Sequence, residues 1–158
     1  MRFVIVMLFA VIVTFAPAQA AGSYEDGLKA FEAEDYKTAY DIWLPLAEAG
    51  DPKAQQAIGV QYELGHGVKK NIDKAIYWYK INIFSKHPSS MFNYGRLLMS
   101  GDAGKIYFKD GLCWIYASES TDPELVKSIE RELLLKGIPQ DNLMQSKGMV
   151  RVGCKTPL

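Results

Sequence analysis

One stretch constrains what this chain can fold into: residues 51–85, DPKAQQAIGVQYELGHGVKKNIDKAIYWYKINIFS. It reads as a helix, a glycine-bearing loop and a second helix. Its spacing returns later at a constant offset. Ala54, Gly59, Gly65, Ala75 and Trp78 correspond to Ser90, Gly95, Gly101, Gly111 and Trp114. A fixed period of small and aromatic residues marks stacked units, each too small to bury its apolar face without a neighbour. The expected fold is all-α, an α-solenoid of about three helical hairpins followed by a C-terminal helical cap.

Local signals place the helices. Ser23 to Ala33 carries Leu28 and Phe31 at helical spacing, and Asp35 is positioned to cap the next helix. Tyr36 to Glu48 shows Tyr36, Ala39, Tyr40, Trp43 and Ala47 on one face. Pro45 lies inside it, so a kink or an early end is expected there. Asp51-Pro52 joins an N-cap carboxylate to a proline at the first helical position. Gly59 is interior to that helix, which implies close approach by a neighbour, and Ala75 and Trp78 form a small-beside-large pair on the partner helix. Gly65 and Gly67 make the turn, and Asn71 is placed to cap the second helix of the unit. His87-Pro88 opens a third unit whose second helix runs from Asp110 to Ser118. Asp122-Pro123 and Pro139 start two last helices, read as a cap with a polar outer face.

The N-terminus is an expected targeting segment. Arg2 precedes an apolar run from Phe3 to Phe15, followed by Ala18-Gln19-Ala20, a small-x-small cleavage site. Cleavage near Ala20 puts the mature chain outside the cytoplasm, periplasmic or secreted, with no stable membrane anchor. The division expected is a signal peptide at 1–20 and a repeat domain at 21–158, with units of about 23–50, 51–86 and 87–120 and a cap at 121–158. In an oxidising compartment the two cysteines, Cys113 and Cys154, suggest one intramolecular disulfide. A buried free thiol at Cys113 and an intermolecular bond through Cys154 are the other readings. Lys plus Arg and Asp plus Glu both number 18, so the chain has no electrostatic footprint for nucleic acid.

The residues Ala54, Ile58, Gly59, Tyr62, Gly65, Gly67, Val68, Ala75, Trp78 and Tyr79 fill a pattern close to A-x-x-x-L-G-x-x-Y-x-x-G-x-G-V followed by A-x-x-W-Y. In this the chain resembles the Sel-one-like repeat family, which is tetratricopeptide-like, and AFEAEDYKTAYDIWLPLAEAGDPKAQ is similar to the opening of its exported bacterial members. The resemblance spans Ser23 to about Ser118. The third unit keeps Gly95, Gly101 and Trp114 and departs at Ser90, Ala103 and Ile115; the first is a shorter hairpin. The resemblance implies an α-solenoid that binds a protein or peptide partner, such as an envelope adaptor or an immunity protein for a secreted toxin. Cysteine-rich members linked to β-lactams carry a cysteine pair in each repeat; this chain does not, so that activity is not carried over.

The chemical inventory points the same way. No HExxH, CxxC, GxSxG or SxxK motif is present. His66 and His87 lack metal-spaced partners and are read as loop side chains, His66 with a solvated ring. The acidic group Glu25, Asp26, Glu32, Glu34 and Asp35 is read as a solvated helix face. The expectation is a non-enzyme with no catalytic residue, metal or cofactor. By analogy with tetratricopeptide stacks, the first helix of each hairpin lines a concave groove. That places Gln56, Val60 and Glu63 from the second unit, and Phe92, Asn93 and Arg96 from the third, as partner-binding candidates. The alternatives are an envelope hydrolase acting on β-lactam or peptidoglycan, and a cell-wall glycan-binding module using exposed Tyr and Trp.

Overall fold

The helix boundaries follow from their caps. In the computed structural model, which describes residues 22–102, 104–118, 123–150 and 153–154, Ser23 and Asp26 form a reciprocal capping box. It opens α1 (Tyr24–Glu32). Asp35 accepts from Thr38 N–H to open α2 (Tyr36–Glu48), and Asp51 accepts from Ala54 N–H at 2.7 Å to open α3 (Pro52–Leu64). Asn71 does the same for α4 (Ile72–Phe84) through Lys74 N–H. Then come α5 (Pro88–Ser100), α6 (Phe108–Ala117), α7 (Pro123–Leu135) and α8 (Gln140–Met149). The described residues contain these eight helices and no strand. The expected signal segment lies outside the described residues, as do Ala103, Asp122 and the tail after Cys154.

Pro45 does not end α2 early. A proline this near the C-terminus removes one donor only, and the helix still closes as a Schellman motif. Gly50 N–H donates to the Ala47 carbonyl and Asp51 N–H to that of Leu46, both at 3.0 Å.

Successive helices pack as antiparallel neighbours: α1 on α2, α2 on α3, α3 on α4, α4 on α5 and α5 on α6, with α8 docking on α6. One core runs through the first two hairpins into the third, built on Trp43, Ile58, Tyr79, Tyr94, Leu97 and Leu98. A second, smaller core joins the third hairpin to the cap through Leu112, Ile115, Tyr116, Val126 and Leu143. The cap is less polar than expected. Leu134, Leu135 and Met144 are exposed, because α7 and α8 bury only one narrow side. A disulfide joins Cys113, wholly buried on α6, to Cys154 in the tail.

Each hairpin crosses where a glycine lets the partner helix come close, and the element over the glycine differs from the expectation. The second crossing sets Gly59 against Tyr79, not against Trp78: a Cβ at Gly59 would overlap the Tyr79 ring. Tyr79 is fully buried, whereas Trp78 is half-buried on the outer side of α4. The reason is the helical turn of about 100° per residue, which separates adjacent positions onto different faces. In the first hairpin Trp43 lies over Gly27 and donates its indole N–H to the Tyr24 carbonyl at 3.0 Å. In the third, Gly95 and Gly111 bring two backbones together beside Ile115. Trp43, Tyr79 and Ile115 each stand one turn after the small residue of their helix (Ala39, Ala75, Gly111).

Buried amides tie one hairpin to the next. Gln61 donates to the Tyr36 carbonyl (2.8 Å), Gln55 to that of Ala47 (3.1 Å), and Asn82 to the Pro52 carbonyl (2.6 Å) and to Ser90 Oγ (2.8 Å). Each bond pairs a buried amide donor and fixes the angle between neighbouring helices.

Candidate functional site

The six groove candidates separate into three environments. Gln56 and Val60 stand one turn apart on α3 and are half-buried. They line an open cleft whose other wall is α1, through Tyr24, Leu28 and Phe31, with Trp43 at its floor. The cleft is mostly apolar, and its shape follows from the crossing below it. Trp43 is drawn down over Gly27 and so forms the floor between the α1 and α3 walls. Tyr24 stacks on Trp43 (centroids 5.6 Å apart), and Phe31 tilts against the same ring at the same separation. The cleft floor is therefore a fixed aromatic surface.

Glu63, Asn93 and Arg96 are brought together, but not as open groove residues. The Glu63 side chain is only 7% exposed. One carboxylate oxygen accepts from the Tyr79 hydroxyl at 2.9 Å, and the other accepts from the Arg96 guanidinium, which is 45% exposed. Asn93 hydrogen-bonds to the same Tyr79 hydroxyl. Burial, then the Glu63 charge, hold the Tyr79 hydroxyl well above the usual phenol range, so it remains a donor. Three helices are joined here: α3 through Glu63, α4 through Tyr79, α5 through Asn93 and Arg96. Both Glu63 oxygens are engaged, which suits a tie between hairpins. Glu63 sits one turn past Gly59 and faces the same partner ring, so the close crossing at Gly59 is what buries it.

Phe92 does neither. It packs against the second core beside Met99 and Phe108. A large apolar side chain on α5 finds α6 and the cap before it finds solvent.

His66 is not a solvated loop side chain. Its ring stacks on Tyr36 at 4.2 Å and 18°, with Phe31 at 5.9 Å. The turn that delivers it needs two glycines. Gly65 adopts φ +81° at the end of α3, and a Cβ at Gly67 would overlap the Tyr36 carbonyl. The 64–70 loop is thus anchored on the start of α2. His87, at the start of α5, has an imidazole held below its usual range by burial, with the Asp51 carboxylate opposing and Lys53 reinforcing. Among the described residues no group of three or more His, Cys, Asp or Glu is placed to hold a metal ion. Among them, too, no helix is long and apolar enough to cross a membrane.

Sequence reasoning missed the α1 wall. Leu28 and Phe31 were legible as apolar positions at helical spacing, the same signal that marks a core. Only their place on the wall of an open cleft, with Gln56 and Val60, sets them apart from core positions.

No family model matches this chain, and no curated protein matches it. Among solved structures it is similar to the crystal structure of a Sel1 repeat protein from Oxalobacter formigenes, at 22% identity and a TM-score of 0.64. The match covers 82% of this chain and 55% of that one, so the chain spans about half the length of the protein it resembles. With the glycine crossings and the eight-helix order, this shows that the chain has the Sel1 repeat fold, an all-α solenoid of stacked hairpins.

Proposed function

We propose that this chain is an exported interaction protein that holds a protein or peptide partner against the α1–α3 face of its solenoid. The observation that carries the reading is the open cleft between Leu28 and Val60 over the fixed Tyr24–Trp43 floor. A rigid aromatic floor with apolar walls suits an anchor side chain, because little conformational freedom is lost when it fills. Gln56 at the rim supplies donors and acceptors for a backbone. Export rests on the N-terminal segment, with its charged start, apolar run and Ala18-Gln19-Ala20 site. An adaptor and a toxin-neutralising protein both fit this surface.

The test uses the mature chain as bait on an envelope fraction, with Leu28→Glu and Val60→Glu combined. Both side chains reach the cleft surface, so the pair introduces charge there while the core remains. Partner capture falls tenfold or more, which is about 1.4 kcal/mol or greater, while the helical circular dichroism is unchanged. Retained capture by a folded double variant assigns the partner to another surface. Phe92→Ala and Arg96→Ala are poor probes, because one opens the second core and the other strands a buried carboxylate.

A further inference from the structure

A second surface lies on the other side of α3. Val60 and Tyr62 are two residues apart, which turns them about 200° from one another on a helix. Tyr62 faces α2 and α4. Its hydroxyl is 2.7 Å from that of Tyr40, and the two rings meet edge to face. Lys74 Nζ sits 4.9 Å over the Tyr62 ring and 3.4 Å from its hydroxyl.

Two shallow clefts share this Tyr62–Lys74 pair. One runs towards the 64–70 loop and is rimmed by Lys69 and Lys70. The other runs along α2 and α4, walled by Tyr40, Leu44 and Trp78, with Tyr77 at its lip and Glu48 at its far end. Tyr77 is 59% exposed. The result is one strip with an aromatic middle, three lysines at one end and one carboxylate at the other.

The lysine end lacks internal compensation. Four exposed lysines elsewhere pair with an acid one turn away: Lys29 with Asp26, Lys37 with Asp41, Lys127 with Glu124 and Lys136 with Glu132. Those without an ion pair, such as Lys53, Lys86 and Lys105, are scattered singly along the chain, whereas Lys69, Lys70 and Lys74 line one cleft. Among the described residues no ion pair engages Lys69, Lys70 or Lys74.

We propose that this strip docks an extended peptide segment of another protein, its carboxylates against Lys69, Lys70 and Lys74 and its neighbouring large apolar side chain on Tyr40, Leu44 and Trp78. Charge complementarity selects the occupant. A nucleic acid carries negative charge along its whole length and meets Glu48 at the far end. A neutral glycan makes no use of the lysines. A peptide offers both signs in order: acids at one end, backbone N–H or a basic side chain at the other. The proposal shares with the function above the premise that the chain binds polypeptide, and it uses a different face.

The experiment is fluorescence anisotropy of the mature chain with a synthetic peptide in which a Glu-Asp pair precedes Trp-Leu. The comparison probes are its Gln-Asn counterpart, an oligouridine and soluble muropeptides. The acidic peptide binds best, and its affinity falls as salt is raised, as rim charges require. Lys69→Ser, Lys70→Ser and Lys74→Ser together weaken it about tenfold, since each exposed pair contributes only modestly. Tyr77→Ser weakens it less. The Leu28→Glu, Val60→Glu variant binds it normally, which separates this strip from the α1–α3 cleft. If loss of the lysines disturbs Lys74 packing and the fold, the salt dependence of the wild-type chain still decides. Equal binding of the Gln-Asn peptide, a salt-independent affinity, preference for oligouridine or muropeptide, or no binding of the acidic peptide overturns the proposal. So does loss of acidic-peptide binding in the Leu28→Glu, Val60→Glu variant alone.

Discussion

The second and third hairpins cross at equivalent positions, yet different material fills the two crossings. At Gly59 the space is taken by a side chain, the buried Tyr79 ring, whose hydroxyl reaches on to Glu63. At Gly95 it is taken by backbone, the Gly111 carbonyl, with Ile115 alongside. The second hairpin therefore combines close packing with a polar tie to the third. The third has no such hydroxyl at its crossing, since Ile115 stands in the place of Tyr79, and it is held from outside by the Cys113–Cys154 bond. What the repeat preserves is the clearance at the crossing; the group that uses it is free to vary.

The comparison can be broken at four points, the largest expected effect first. Cys113→Ser removes the external staple of the third hairpin. For a separation of 41 residues, the chain-entropy relation puts the loss at about 4 kcal/mol. Urea unfolding of oxidised chain against Cys113→Ser measures it, and free labelling of both thiols in the native protein would remove the premise. Gly95→Ala comes next, at about 3 kcal/mol, the upper end for overpacking, because the obstacle is a carbonyl that cannot rotate away. Truncating Ile115 to Ala in the same chain leaves most of that loss in place, because the Gly111 carbonyl remains.

Gly59→Ala costs about 2 kcal/mol, as the overlap is partly offset by the better helix propensity of alanine. Here a second change, Tyr79→Leu, recovers part of the loss, because the obstacle is a side chain. A double-mutant cycle reads the coupling, which is larger at Gly59–Tyr79 than at Gly95–Ile115, where the Gly111 carbonyl stays in the way. Equal rescue at both sites contradicts the distinction between ring and backbone.

The smallest effect concerns pH. His87 lies where the second hairpin hands over to the third, and burial holds its imidazole below the usual range. The folded chain therefore resists a proton that the unfolded chain accepts. Its contribution is complete above the unfolded value near 6.5 and is lost as pH falls through the depressed folded value. Thermal melts drop modestly from pH 7 to pH 5 in the wild type, and the drop flattens in His87→Gln. The depressed carboxylates of Asp26 and Asp35 act at lower pH, below about 4.

Much of the fold was legible because its signals are local. Asp35, Asp51 and Asn71 cap the helices they precede, and Gly50, Gly65 and Gly101 end the ones before them. The all-α solenoid came from period alone. The choice of Tyr79 over Trp78 at the crossing was not legible, because both are aromatic and adjacent, and one residue of helical phase decides between them. Nor were Gln55, Gln61 and Asn82, amides that no apolar pattern singles out and that are buried as ties between helices. Glu63 failed for the same reason. A carboxylate on the face of a first helix reads as a groove residue until Arg96 and the Tyr79 hydroxyl are seen to enclose it. Gln56 and Val60 remain half-buried on the wall of the α1–α3 cleft.

The α1–α3 cleft is the centre of the functional account, and site-specific photo-crosslinking tests it most directly. A benzophenone side chain at Val60, in the full chain expressed with its N-terminal segment, should give one discrete adduct with another protein in the envelope. The same group at Lys136, exposed in the turn just after α7, should give none. No adduct at Val60, or the same adduct at both positions, contradicts the assignment of the binding face.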